Sequence, residues 1–181
     1  MPILIESLLP PWKLVQTWGV GGLLGVGYAP GTDLLLVGSH DGLGVFDVLK
    51  GERIAREREA EGYPDESTLL LEGIGLLAGQ RIRTAGLHGG GLPLGAGDGI
   101  WHLELEPAIY SGDYAPYRGK ACWQIRLIDG RSWVGREGRH LKTCLLYQSF
   151  DFRATGFSET GKSFIIATSS DLWMFSREEA V

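Results

Sequence analysis

Cysteine is scarce. Cys122 and Cys144 are the only two in 181 residues, too few for a secreted disulfide scaffold, and no His or Cys stands at metal-ligand spacing from either. Both fall within predicted strands and are read as reduced thiols. A basic excess is lacking too: 17 Lys and Arg against 22 Asp and Glu leave a formal charge of −5. Neutralising phosphates needs a basic stripe, so nucleic acid is excluded as a partner and a basic or neutral protein is favoured. The N-terminal stretch MPILIESLLPPWK has no basic flank, carries Glu6 and is broken by Pro10 and Pro11, so neither a signal peptide nor a membrane span is expected there. The expected location is cytoplasmic, with no membrane partner. Catalytic signatures are missing as well, with no G-x-S-x-G, no H-E-x-x-H and no Cys-x-x-Cys, and the enzyme hypothesis has no anchor residue. No cofactor and no metal is expected.

What is abundant is glycine, 28 residues, about twice the usual share. Glycine excess without a collagen period means many turns, and many turns between short apolar runs mean an all-β fold. Predicted strands run over 13–20, 23–28, 34–38, 43–48 and 53–59, then 67–74, 80–85 and 100–106, then 121–128, 132–136 and 141–147, and finally 152–157, 164–168 and 172–176. Pro30-Gly31, Asp41-Gly42 and Asp129-Gly130 supply turn chemistry. The strand at 53–59 is polar, and a helix over 51–62, rich in Glu and Arg, is the alternative. Residues 86–99, with seven glycines and no apolar period, read as an exposed mobile loop.

Residues 28–47, YAPGTDLLLVGSHDGLGVFD, align without a gap on residues 157–176, FSETGKSFIIATSSDLWMFS. The copies lie 129 residues apart, three periods of 43, and Tyr114-Ala115-Pro116 echoes Tyr28-Ala29-Pro30 at two periods. Such a unit cannot bury its apolar faces alone and must stack on copies of itself. The last unit is one strand short and residues 13–20 are one strand surplus, so the N-terminal strand is expected to pair with the C-terminal one. In this respect the chain resembles the β-propeller class, most nearly the WD40 type, whose final blade borrows an N-terminal strand. Phe46-Asp47 and Phe175-Ser176 stand where that family has Trp-Asp, and its Gly-His opening is missing. The resemblance implies one domain over residues 1–181, a small propeller-like meander of about four blades. A β-sandwich or open curved sheet is the alternative.

Residues 156–163, GFSETGKS, satisfy the phosphate-loop pattern G-x-x-x-x-G-K-[ST]. That loop needs a helix directly after it, yet Phe164-Ile165-Ile166-Ala167-Thr168 is a β-type run. A hairpin turn is therefore expected, not a nucleotide site. His102, Glu104 and Glu106 alternate with Trp101, Leu103 and Leu105, and so share one face of a strand. This face is either the solvent side of an amphipathic strand or the pocket of a small enzyme or ligand-binding domain. Trp12, outside the repeat, either covers the core or anchors a partner.

The function expected is that of a non-catalytic protein-binding module, such as a cognate inhibitor or immunity protein that neutralises a toxin. Loops at 40–42, 88–91, 129–131 and 169–171 would present the surface. Asp41, Glu57, Glu59, Glu61, Asp65, Glu66 and Asp171 would be the partner-binding residues, steering a basic surface toward the module.

Overall fold

The computed structural model describes residues 8–111, 115–132 and 142–177, and within them every regular element except three single 3-10 turns is a β-strand. In chain order the strands are β1 (Trp12–Gly19), β2 (Leu23–Tyr28), β3 (Leu34–Ser39), β4 (Gly42–Asp47), β5 (Glu52–Glu57), β6 (Leu70–Glu72) and β7 (Arg81–Arg83). They continue with β8 (Ala85–Gly86), β9 (Trp101–Ile109), β10 (Ala121–Asp129), β11 (Lys142–Ser149), β12 (Phe152–Phe157), β13 (Ser163–Thr168) and β14 (Asp171–Arg177). All pairings are antiparallel and group into four sheets, ordered β1-β14-β13-β12, β11-β10-β9, β5-β4-β3-β2-β8 and β6-β7. The polar segment at 52–57 is a strand, not a helix. Its apolar neighbour β4 offers a full ladder, and tertiary pairing overrides the helix propensity of Glu and Arg.

The surplus N-terminal strand does pair with the C-terminal one: Trp12 opposes Arg177 and Gly19 opposes Asp171. The sheet so completed is buried on both faces. Phe164, Ile166 and Phe175 pack against Trp101, Leu103, Ile125, Leu127 and Leu146 of the β9–β11 sheet. Ile165, Ala167, Leu172 and Met174, on the opposite face, pack against Leu23, Val26, Leu35, Val37 and Phe46 of the first repeat. Double burial explains why β13, SFIIAT, shows no polar alternation. The far face of β2–β4, with Leu36, Leu43 and Val45, meets Leu71, Ile74, Leu77 and Ile82 around β6 and β7. The four sheets thus stack, joined by three apolar cores.

Trp12 lies in the first of these cores, 4% exposed, edge-on to Trp101 and Phe164, with Phe164 stacked on Phe175 at 4.4 Å. It is core and not a protruding anchor, because an indole placed between two sheets removes more apolar area from water than any edge position offers.

Two strand assignments and one loop differ from expectation. The stretch at 80–85 is two strands: β7 pairs with β6, and after buried Thr84 the chain crosses so that β8 pairs with β2. That crossing brings Arg83 O to 2.3 Å from where a Cβ on Gly27 would stand, which is why β2 carries glycine there. β9 belongs with β10 and not with the preceding unit, because the two form an adjacent nine-pair ladder from Trp101–Asp129 to Ile109–Ala121. Third, the loop at 86–99 is pinned. Leu92 and Ala96 enter the cores, Phe157 N–H donates to Pro93 O, and Leu103 N–H donates to Leu94 O. The strand expected at 132–136 and the C-terminal residues 178–181 fall almost wholly outside the described residues.

Candidate functional site

Period two decides how the charges of the first repeat are displayed. Residues 52–59 read ERIARERE, three Glu against three Arg and neutral in sum, but alternate residues of a strand point to opposite faces. A bulge where Val45 opposes Ala55 and Phe46 opposes Arg53 resets the phase, so that Arg53, Arg56 and Arg58 look to one side. Glu57 looks to the other.

On Glu57's side lies an open groove of about 480 Å³ between the chain leaving β5 and the β6–β7 pair. Glu57, Glu61, Asp65 and Glu72 are its carboxylates, Arg81 its single cation, and Leu43, Leu71 and Ile74 are among its apolar lining. Arg81 already reaches Glu72, Nε to Oε1 at 3.4 Å. The rim is negative and the lining apolar, which is the surface a basic, partly apolar protein segment fits.

Of the expected partner-binding residues, Glu57, Glu61 and Asp65 are brought together here. Asp65, however, is turned onto its own loop: its Oδ1 accepts from the backbone N–H groups of Ser67 and Thr68 and from both hydroxyls, at 2.6 to 3.0 Å. Those bonds, led by the Ser67 hydroxyl, hold its carboxyl down at about 2. Its work is to shape the loop. Glu59 and Glu66 are exposed and line none of the three concavities described here. Asp41 sits apart, paired with Arg56 Nη2 at 3.0 Å. Asp171 lines a separate hollow of about 280 Å³ with Asp151, Tyr110, Tyr117 and Phe150. Within that hollow, burial raises the Tyr147 hydroxyl far above its usual range, and the Asp151 and Asp171 charges push it further.

Of the four expected loops, three share one end of the stack. His40 Nδ1 lies 2.9 Å from Tyr63 Oη, Tyr63 packs against His88, and Ser169 and Ser170 carbonyls accept from Leu23 and Val20. The fourth, 129–131, lies at the opposite end. Asp129 opposes Trp101, and Gly130 N–H donates to Ile100 O, so the β10 turn points the other way. There Arg131 binds Asp129 bidentately at 2.9 Å, lowering the Asp129 carboxyl.

His102 and Glu104 lie exposed on the outward face of β9, with Glu106 half-buried beside them, opposite buried Trp101 and Leu103. Glu106 accepts from Gln124 Nε2 at 2.8 Å and lies 3.4 Å from Arg126 Nε. The shared face is present, and none of the three residues lines a concavity described here.

The phosphate-loop match is a hairpin turn between β12 and β13, closed by Ser158 N–H to Ser163 O. Its hydroxyls are committed elsewhere: Ser158, Thr160 and Ser163 donate to the buried carboxylate of Asp33 at 2.6 to 2.9 Å. The octapeptide of the second repeat copy thus grips the turn of the first.

Sequence reasoning missed the basic face of β5 because it read 51–62 as one charged segment. The alternation R-E-R-E at 56–59 was the available signal. Among the described residues no group of three or more potential metal ligands converges, and no helix is long and apolar enough to cross a membrane. Comparison with protein-family models, with curated proteins and with solved structures produced no match.

Proposed function

We propose that the chain is a non-catalytic protein-binding module, a propeller-like stack of sheets that engages a basic or neutral protein through the acidic groove beside β5. A cognate inhibitor, of the kind that neutralises a toxin by covering it, is the concrete form of this role. The observation that carries the reading is the groove itself: four carboxylates around an apolar lining, one of them committed to its loop and one paired with Arg81. The β1–β14 pairing supports the propeller-like reading, because it completes a four-stranded sheet from the two chain ends.

The test uses the full chain as bait in native lysate, followed by native mass spectrometry of the captured complex. A stoichiometric protein is expected. Glu57→Lys, Glu61→Lys and Glu72→Lys together should slow its association several-fold at low salt and change dissociation little, since steering acts on encounter. Recovery of a bound small molecule in place of a protein would favour the second reading, a ligand-binding or catalytic face at His102, Glu104 and Glu106. An association rate indifferent to both salt and the triple variant would reject the groove.

A further inference from the structure

Behind the acidic groove, on the other face of β5, a second concavity of about 110 Å³ is lined by Arg53, Arg56 and Arg58 together with Asp41. It exists because its walls are short. Gly19 at the end of β1, Gly21 of the β1–β2 connection and Gly44 of β4 contribute no side chain, and Val37 and Phe46 line it beside them. Gly44 stands directly opposite Arg56 in the ladder, and the Phe46 ring lies 3.1 Å from where a Cβ on Gly44 would stand, whereas nothing lies within 4 Å of that position on Gly19 or Gly21.

Two of the guanidinium groups are held in place. Arg53 lies 5.2 Å from the centre of the Trp18 ring, and Trp18 is itself tied by Nε1–H to Gly51 O at 3.0 Å and packed edge-on to Phe46. Arg56 donates through Nη2 to the carbonyl and to the carboxylate of Asp41, at 2.7 and 3.0 Å. Each guanidinium has five N–H donors in a planar fork, so both anchored groups keep donors for a guest. The three positive charges face the single carboxylate of Asp41, leaving a double positive excess on a chain whose total charge is −5.

We propose that this concavity is an oxyanion site that takes a phosphate group. A phosphate dianion matches the double positive excess, and its oxygens, spread tetrahedrally, can meet three forks at once. A carboxylate, with one charge and two oxygens in a plane, leaves one fork unused. The volume admits one phosphate and little more, so a phosphate monoester would enter head first with its substituent outside. The site does not rest on the acidic-groove reading, and the two can fail separately.

Inorganic phosphate, O-phosphoserine, sulfate and acetate are titrated into the full chain at pH 7.5 and matched ionic strength. The readouts are calorimetry and the Nε–Hε NMR resonances of arginine. Phosphate or phosphoserine should bind with sulfate competing, acetate should be at least tenfold weaker, and the shifted resonances should be those of Arg53, Arg56 and Arg58. Binding of phosphoserine alone assigns the site to monoesters, and equal binding of both assigns it to the free group. The exposed Arg58→Ala variant should weaken binding about tenfold while leaving the thermal midpoint in place. Arg53→Lys, which keeps charge but loses the fork, should weaken it severalfold. Acetate binding equal to phosphate, resonance shifts spread over all arginines, or an Arg58→Ala variant that binds as the parent does would overturn the proposal.

Discussion

Asp33 is the residue on which the contact between the two repeat copies turns. The residue is 9% exposed and its carboxylate accepts hydrogen bonds from the hydroxyls of Ser158, Thr160 and Ser163, while Glu159 Oε2 accepts from Gly31 N–H at 2.7 Å beside it. Tyr28 Oη lies 3.1 Å from Ser163 Oγ, and burial, with Asp33's charge adding to it, raises its pKa far above the ordinary phenol range. Asp33→Ala removes the shared charged acceptor and leaves the three hydroxyls only neutral partners, Ser158 with Thr160 and Ser163 O, and Ser163 with Tyr28. Hydrogen bonds to a charged group contribute roughly 1.5–3 kcal/mol each, but three on one carboxylate are not additive, so a loss of about 4 kcal/mol is expected. For a chain of this size that lowers the thermal midpoint by about 8–16 °C. Asp33→Asn keeps an acceptor of the same shape and should lose less than half as much. Urea unfolding measures both, with an unchanged slope as the sign that only stability moved. In a double-mutant cycle, Asp33→Ala and Ser158→Ala should couple by about 1 kcal/mol or more. A loss under about 1 kcal/mol for Asp33→Ala, or strict additivity in the cycle, would refute the clamp.

Removing residues 1–20 takes away β1 and Trp12, and should lower the thermal midpoint sharply; an unchanged transition would mean that β14 does not need its partner. Gly27→Ala places a methyl within 2.3 Å of Arg83 O and should cost about 2 kcal/mol or more by displacing the β7–β8 crossing, read from the same urea curves. Lys162→Ala should leave ATP and GTP equally unbound in calorimetry before and after the change, because the turn has no helix behind it and its hydroxyls serve Asp33. Acid should destabilise the fold below about pH 4. The Asp65 carboxyl is lowered from 3.8 to about 2 by Ser67 and Thr68, and that of Asp129 is lowered by Arg131. A carboxyl depressed on folding stabilises fully above its unfolded value, and that stability disappears as pH falls through the folded one. Urea midpoints at pH 7, 4 and 2.5 test this, and a flat series would contradict it.

Strand content, the repeat and the joining of the two chain ends were all legible in the sequence, since each depends on local pattern or on counting strands. β2 and β12 fall at the expected bounds, and β1 pairs with β14 as the missing strand required. The false phosphate loop was legible too, because a β-type run follows it. The partners of its hydroxyls were not: Asp33 lies 125 residues from Ser158, and only stacking of the two copies brings them together. The same holds for charge. Counting acids and bases finds an acidic chain, whereas one bulge in β5 sends Arg53, Arg56 and Arg58 to one face and Glu57 to the other. Composition is a sum over residues. A concavity with a sign is set by strand phase and by which glycines leave its walls open, and those are properties of the assembled sheets.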